Sequence, residues 1–202
     1  VGSEMCIRDR FGIPRQSGIL DKMESKIVFE PEYRVGEALR GIEQYSHLWL
    51  IWLFSQSVDD KFRPTVRPPR LGGNKRVGVF ATRSPFRPNS LGLSSVKLKE
   101  VLNTSDCGKI LIVTGADLMD DTPIFDIKPY VKYSDSHPEA ECGFSDVFKD
   151  YSLKVVIPED IKKSLPEEKL ETITDILRND PRPSYQHLSL IHISEPTRLL
   201  SI

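Results

Sequence analysis

The segment His47–Phe54 reads His-Leu-Trp-Leu-Ile-Trp-Leu-Phe. Its Leu48–Phe54 stretch is the longest apolar run in the chain, and such a run needs cover from water. It falls far short of the ~20 residues of a membrane-spanning helix. It is also short for a core helix, so it reads as a strand buried on both faces. The rest of the chain has to supply that cover. Lys26–Phe29 is a short strand, and Glu37–Glu43 suits about two helical turns. Residues 61–76 carry Pro68-Pro69 and Gly72-Gly73 and form a loop. Val77–Thr82, Leu91–Leu102 and Lys109–Leu118 read as strands, the last two joined through Asn103–Gly108. Ile124–Tyr130 is short and interrupted by Pro129, and Ser152–Ile157 alternates like a final strand. The period then changes. Ser164 is placed to cap a helix whose first turn is Pro166-Glu167-Glu168. Leu170, Ile173, Ile176 and Leu177 share one face of it, and Asn179-Asp180-Pro181 stops it. Many short strands with Gly/Pro-rich turns favour a mainly β barrel or sandwich over a doubly wound sheet.

Composition agrees with a folded domain. Of 202 residues, 39% are hydrophobic and 8% aromatic, and 28 Lys+Arg face 29 Asp+Glu. A chain of this size buries roughly two thirds of its unfolded surface without disulfides or metal. Cys6, Cys107 and Cys142 have unrelated spacings, which make neither a disulfide framework nor a zinc knuckle. The expectation is a reducing cytoplasm and no metal.

The two ends have a different origin. Met5–Arg10 can be encoded ATG TGT ATA AGA GAC AG plus one base. The reverse complement of that string begins CTG TCT CTT ATA CAC AT, which translates as Leu188–Ile193. One stretch of DNA, similar to a transposon-type sequencing adapter, explains both. Residues 1–10 and 187–202 are therefore read as non-native. The expected organisation is a β domain over 11–157 lacking its N-terminal strand and a partial C-terminal domain over 158–186.

Net charge is −1, yet the charges are sorted. From Lys61 to Lys99 the chain has ten Lys or Arg (Lys61, Arg63, Arg67, Arg70, Lys75, Arg76, Arg83, Arg87, Lys97, Lys99) and no Asp or Glu. Acids gather at Asp117, Asp120, Asp121 and Asp126. Such sorting is self-repulsive unless an anion or distant acids neutralise the basic side. The bias toward Arg suits bidentate capture of phosphate or carboxylate, and loops are where binding groups usually lie. The acidic group can be turn chemistry or a Mg²⁺ chelate. Glycine-rich dinucleotide and phosphate loops and a nucleophile elbow are absent. His47 beside the apolar run reads as a hydrogen-bonded core histidine. The residues by themselves point to a mostly β protein that handles a phosphate-bearing ligand.

Several longer segments are distinctive: Phe11-Gly-Ile-Pro-Arg-Gln16, Tyr45-Ser-His-Leu-Trp49, Arg63-Pro-Thr-Val-Arg-Pro-Pro-Arg-Leu-Gly-Gly-Asn74, Gly78-Val-Phe-Ala-Thr-Arg-Ser-Pro-Phe-Arg-Pro-Asn89, Asp121-Thr-Pro123 with Asp126-Ile-Lys-Pro-Tyr130, and Asp180-Pro-Arg-Pro183. Together they resemble the TrmO (TsaA-like) family of tRNA methyltransferases over essentially all of 11–186. The resemblance implies a small β-barrel with a short α-containing C-terminal appendage, working as a homodimer. It implies methyl transfer from S-adenosylmethionine to N6 of threonylcarbamoyl-adenosine at position 37 of tRNA. Donor contacts carry over to Arg15, Gln16, Ser17, Ser55, Gln56, Arg83, Leu93, Asp120, Asp121, Thr122 and Pro123. Ser17 replaces a common proline, Ser55 a common histidine and Asp121 a usual glycine. The last change matters, because glycine allows a positive φ that Asp adopts only at some cost. On this resemblance, Arg15 or Arg83 forks the donor carboxylate, Asp120 or Asp121 accepts from its ammonium or ribose, and Leu93 packs on its adenine.

Two further roles come from the chemistry. The target nitrogen is amide-like and poorly nucleophilic, so a base helps. Asp126 is the candidate, with Lys128 steadying the developing anion, and a structural ion pair is the alternative for both. Arg67, Arg70, Lys75, Arg76 and Arg87 suit RNA phosphates, and Tyr130 either stacks the target base or packs the sheet. Two other functions suit the same residues: a non-catalytic RNA-binding barrel, and a Mg²⁺-dependent phosphohydrolase built on the Asp cluster.

Overall fold

The computed structural model describes residues 2–4, 17, 23–57, 62–68, 71, 75–148 and 152–178. Its strands are β1 (Gly2–Glu4), β2 (Glu24–Val28), β3 (His47–Leu53), β4 (Thr65–Val66), β5 (Val77–Gly78), β6 (Leu91–Thr104), β7 (Gly108–Thr114) and β8 (Ile124–Pro129). The helices are α1 (Lys132–Asp135), α2 (Glu159–Ser164) and α3 (Glu167–Arg178). Six strands form one antiparallel sheet in the order β1-β2-β7-β6-β3-β8, and β4 and β5 make a separate ribbon. The class is mainly β with an α-containing C-terminal part. The sheet is not closed as a barrel, because β1 and β8 are its edges.

β6 organises the sheet. Leu91–Lys97 pair with β3 and Lys97–Thr104 with β7, with a register shift between Leu98 and Glu100. A bulge bends a strand and increases its twist, so one long strand serves two partners at different angles. The β6–β7 turn closes on Gly108, which takes φ 66, while Thr104 Oγ donates to Gly108 O at 2.9 Å. The core gathers Ile27 from β2, Leu48, Leu50 and Trp52 from β3, Val96 from β6, Leu111 and Val113 from β7, and Ile124 from β8.

This burial corrects the reading of the apolar run. In β3 only Leu48, Leu50 and Trp52 are buried, whereas Trp49, Ile51 and Leu53 are half-buried. The strand covered on both faces is β7, where Ile110 to Thr114 are all buried. β7 lies between β2 and β6, well inside the sheet. β3 lies one place from the β8 edge, where the outer face has less cover.

Other differences are local. Glu37–Glu43 forms two 3₁₀ turns, Gly36–Leu39 and Ile42–Gln44, broken at Gly41 with φ 88. Val77–Thr82 is strand only at Val77–Gly78 and then turns. Ser152–Ile157 keeps its alternation, with Leu153, Val155 and Ile157 half-buried, but it joins no sheet. Leu153 N instead donates to Arg178 O at the end of α3. Ser164 closes α2 through a bond from its Oγ to Ile161 O and does not cap α3. Gly2–Glu4, within the segment read as non-native, pair with Val28–Lys26 at the edge of the sheet.

Trp52 and Gly92 face each other across β3 and β6. A Cβ on Gly92 would lie 2.2 Å from Trp52 Cε2, so the indole occupies the space a side chain would need. Gly92→Ala is expected to destabilise the fold by about 1–3 kcal/mol, as overpacking does. Chemical denaturation followed by tryptophan fluorescence measures this, and an unchanged midpoint would show that the close approach is not required.

Candidate functional site

Side chains alternate along a strand, and cross-strand partners share a face. On β3 the core face takes Leu48, Leu50 and Trp52, so Trp49, Ile51 and Leu53 point outward. Ile51 is partnered by Leu93 on one side and Asp126 on the other, and Trp49 by Ser95 and Lys128. Leu93, Ile51 and Asp126 therefore form one outward row, its ends about 10 Å apart across two strand spacings. A bulge in β8 makes this alignment. Trp52 pairs with Ile124 and Ile51 with Asp126, so Phe125 is the extra residue and is 60% exposed. Leu93, on a strand in the middle of the sheet order, is 58% exposed.

The loops beside this row meet where β3 ends. Leu53 N donates to Pro123 O at 3.0 Å and Phe54 N to Ser90 O at 2.8 Å. The exit of β3 is thus clamped between the starts of β8 and β6, and Ser55 and Gln56 follow in an exposed 3₁₀ turn. The acidic turn is tied by Thr122, whose Oγ donates to Met119 O at 2.7 Å. Asp121 has φ 56, the left-handed conformation expected at a position where glycine is usual. It is the one non-glycine residue with positive φ among those described. Asp120 is half-buried in this turn and Asp121 exposed.

A hydrogen-bond chain runs beneath. Trp52 Nε1 donates to Ser94 Oγ at 2.9 Å, and Ser94 Oγ donates to Asp117 Oδ1. Asp117 also accepts from the Ser17 backbone and feels the charge of Arg83. Ser17 Oγ in turn accepts from Ser95 N at 3.2 Å. Desolvation raises the Asp117 pKa above the usual carboxylate value, opposed by these hydrogen bonds and by Arg83. Neither Asp117 nor Ser94 stood among the donor residues expected from sequence. The available signal was an acid four residues past the apolar stretch Ile110–Val113.

The structure thus brings Ser17, Arg83 and Asp117 together, and it sets Ser55, Gln56 and Thr122–Pro123 around the β3 exit. Arg15, Gln16 and Arg70 lie outside the described residues. Asp126 and Lys128 form an ion pair at 2.8 Å, and Asp126 Oδ1 accepts from Ile127 N at 2.9 Å. The bond from Lys128 holds the Asp126 pKa below the usual range. Arg67 and Lys75 are exposed, and Arg76 is exposed with Nη1 on Thr65 Oγ at 3.1 Å. Arg87 is engaged internally. Its guanidinium donates to Thr82 O at 2.6 Å and Val79 O at 3.2 Å and lies over the Phe80 ring. Tyr130 packs on Trp49, with centroids 5.5 Å apart, and on His47 at 6.2 Å. His47 is exposed rather than a core residue, because it opens β3 on the outward face. Among the described residues no group of three or more His, Cys, Asp or Glu could hold a metal ion.

The raised Asp117 pKa has a consequence for stability. The folded chain holds that proton more tightly than the unfolded chain, so this residue lowers stability as pH rises from the ordinary carboxylate value through the raised one. Asp117→Asn is expected to remove this falling arm while keeping an acceptor for Ser94. Denaturation midpoints compared across pH for the two proteins measure it, and a pH-independent difference would contradict the assignment.

The family model for the tRNA-methyltransferase O N-terminal domain matches residues 3–136. The chain is 40% identical over 185 residues to the tRNA (adenine(37)-N6)-methyltransferase of Escherichia coli, an alignment covering 89% of this chain and 78% of that protein. It is 40% identical over 188 residues to a putative S-adenosylmethionine-dependent methyltransferase, RcsF, of Pseudomonas aeruginosa, covering 90% and 79%. A crystal structure of TrmO from Pseudomonas aeruginosa superposes with a TM-score of 0.64 at 32% identity, covering 90% of this chain and 78% of that one. With the open β sheet, the clamped β3 exit and the acidic turn in place, these matches establish that the chain belongs to the TrmO family.

Proposed function

We propose that the chain methylates N6 of adenosine 37 in tRNA, using S-adenosylmethionine, on an adenosine that already carries a threonylcarbamoyl group. The observation that carries this reading is that Ser17, Arg83 and Asp117 are held together against β6, while the 120–123 turn is tied to the β3 exit and Leu93 shares the outward face with the pair Asp126–Lys128.

The residues present fit such a donor. Its carboxylate suits a guanidinium, which Arg83 offers from an exposed loop position. Its ammonium and ribose hydroxyls suit the carboxylates of Asp120 and Asp121. Its adenine suits an apolar shelf, and Leu93 presents one in the open. The bound cosubstrate supplies an electrophilic methyl group on a sulfonium. The chain's own task is mainly positioning, since near-attack geometry can be worth up to ~7–11 kcal/mol.

The target nitrogen loses a proton as it gains the methyl group. Asp126 is ionised at neutral pH and faces outward one row from Lys128, so it is in the accepting state. The depressed pKa makes it a modest base. Lys128 compensates by steadying negative charge on the neighbouring carbamoyl oxygen. Asp126→Asn is expected to lower turnover on modified tRNA by about 10²-fold or more while leaving donor affinity by calorimetry unchanged. Unchanged turnover would leave the pair a structural feature of β8. The reaction itself is tested with labelled donor and tRNA with and without the threonylcarbamoyl group. Label is expected only in the modified RNA, and none in either would overturn the activity.

We also place the chain in the cytoplasm as a homodimer. Leu91 and Phe125 are exposed near the rim of the site, an apolar surface that a second copy would cover. Sedimentation is expected to give twice the monomer mass. A monomer would require another partner for that surface.

A further inference from the structure

The basic loop carries aromatic rings that its charge count did not reveal. Phe62 is 55% exposed, Phe80 70% and Phe86 39%. Rings of this size normally find cover, and here the backbone prevents it. Val79 is buried and begins the 3₁₀ turn Val79–Ala81, which leaves the next residue, Phe80, facing out. The two segments that carry the rings are held side by side. β4 pairs with β5, and Val79 N donates to Pro64 O at 3.0 Å. The loop beyond is tied by its own side chains. Ser84 N donates to Thr82 Oγ, Phe86 N donates to Ser84 Oγ, and Arg87 grips two carbonyls.

The rings are arranged with cations. Phe62 and Phe80 stack at 6.3 Å with planes 29° apart, Arg63 lies over Phe86 at 5.3 Å, and Arg87 lies over Phe80 at 5.6 Å. The three rings and Arg63 line an open cleft of about 1340 Å³. Arg67, Arg76 and Arg83 also line it, and among the described residues no Asp or Glu does. An apolar surface awaiting an ordinary protein partner has no need of so one-sided a charge. A strand of unpaired nucleotides has both properties that the cleft answers: flat faces that stack on aromatic rings, and one negative charge per phosphate. Arg83 joins the two regions, since it lines this cleft and also faces Asp117 beneath the donor site.

We infer that the Phe62–Phe80–Phe86 cleft is a base-stacking subsite that takes unpaired nucleotides flanking the methylated adenosine. This deepens the proposed function and rests on it. The rings hold bases by their faces, and Arg67 and Arg76 hold the phosphates between them. Selection here is for unpaired RNA rather than for a particular base, because every base has a face to stack.

The test is binding of the full chain to an anticodon stem-loop RNA and to a fully paired RNA duplex, each across a salt series. Phe80→Ala is expected to weaken stem-loop binding about tenfold, the effect of one lost stacked base. It is expected to leave duplex binding, the salt slope and donor affinity unchanged. Phe80→Leu, which keeps apolar bulk without a ring face, is expected to behave like Phe80→Ala. Arg67→Gln is expected instead to reduce the slope of log affinity against log salt by about 0.7. Stem-loop binding that survives both Phe80→Ala and Phe62→Ala would overturn the subsite and spare the methyltransferase reading. If the same variants dissociate a dimer without changing RNA affinity, the cleft belongs to a second copy of the chain and the subsite is again overturned. Wild-type protein that binds no RNA would overturn both readings.

Discussion

A part-buried carboxylate has to be supplied with donors, and meeting that demand at Asp117 ties the molecule together. Its partners come from separate parts of the chain: Ser94 from β6, the Ser17 backbone, and the charge of Arg83 from the basic loop. Trp52 of β3 secures Ser94 in turn, and the Trp52 indole fills the space above Gly92. These partners oppose the desolvation cost at Asp117 without cancelling it. β6, Ser17 and the basic loop are thereby coupled through one oxygen-rich point.

That coupling explains why residues so distant in sequence converge. β6 alone would give a ladder, and β3 alone an apolar strip. The bend between Leu98 and Glu100 lets β6 reach β7 while its first half stays on β3. The bulge at Phe125 then sets Asp126 level with Ile51 and Leu93. Two departures from regular pairing thus place an acidic residue, an apolar shelf and a lysine on one face.

Strand positions were legible because alternation and turn residues are local properties. The Asn103–Gly108 turn and the strands on either side of it follow directly from them. Which strand is doubly covered was not legible. Leu48–Phe54 is more apolar than Ile110–Thr114, but cover depends on place in the sheet order, and that is decided by long-range pairing. Ser152–Ile157 shows the same limit, since an alternating segment becomes a strand only where the chain carries it alongside a sheet edge. The positive φ at Asp121 was foreseeable because the motif normally has glycine there. The inward use of Arg87 was not, because a guanidinium binds carbonyl oxygens as readily as phosphate.

The internal grip of Arg87 reaches beyond the loop it closes. Because Thr82–Arg87 is already fixed by its own side chains, the entropy of ordering it is lost during folding and not when a ligand arrives. An incoming macromolecule then meets a finished template. Its capture rate is governed by diffusion and by the long-range pull of the surrounding cations, with no wait for a loop to close.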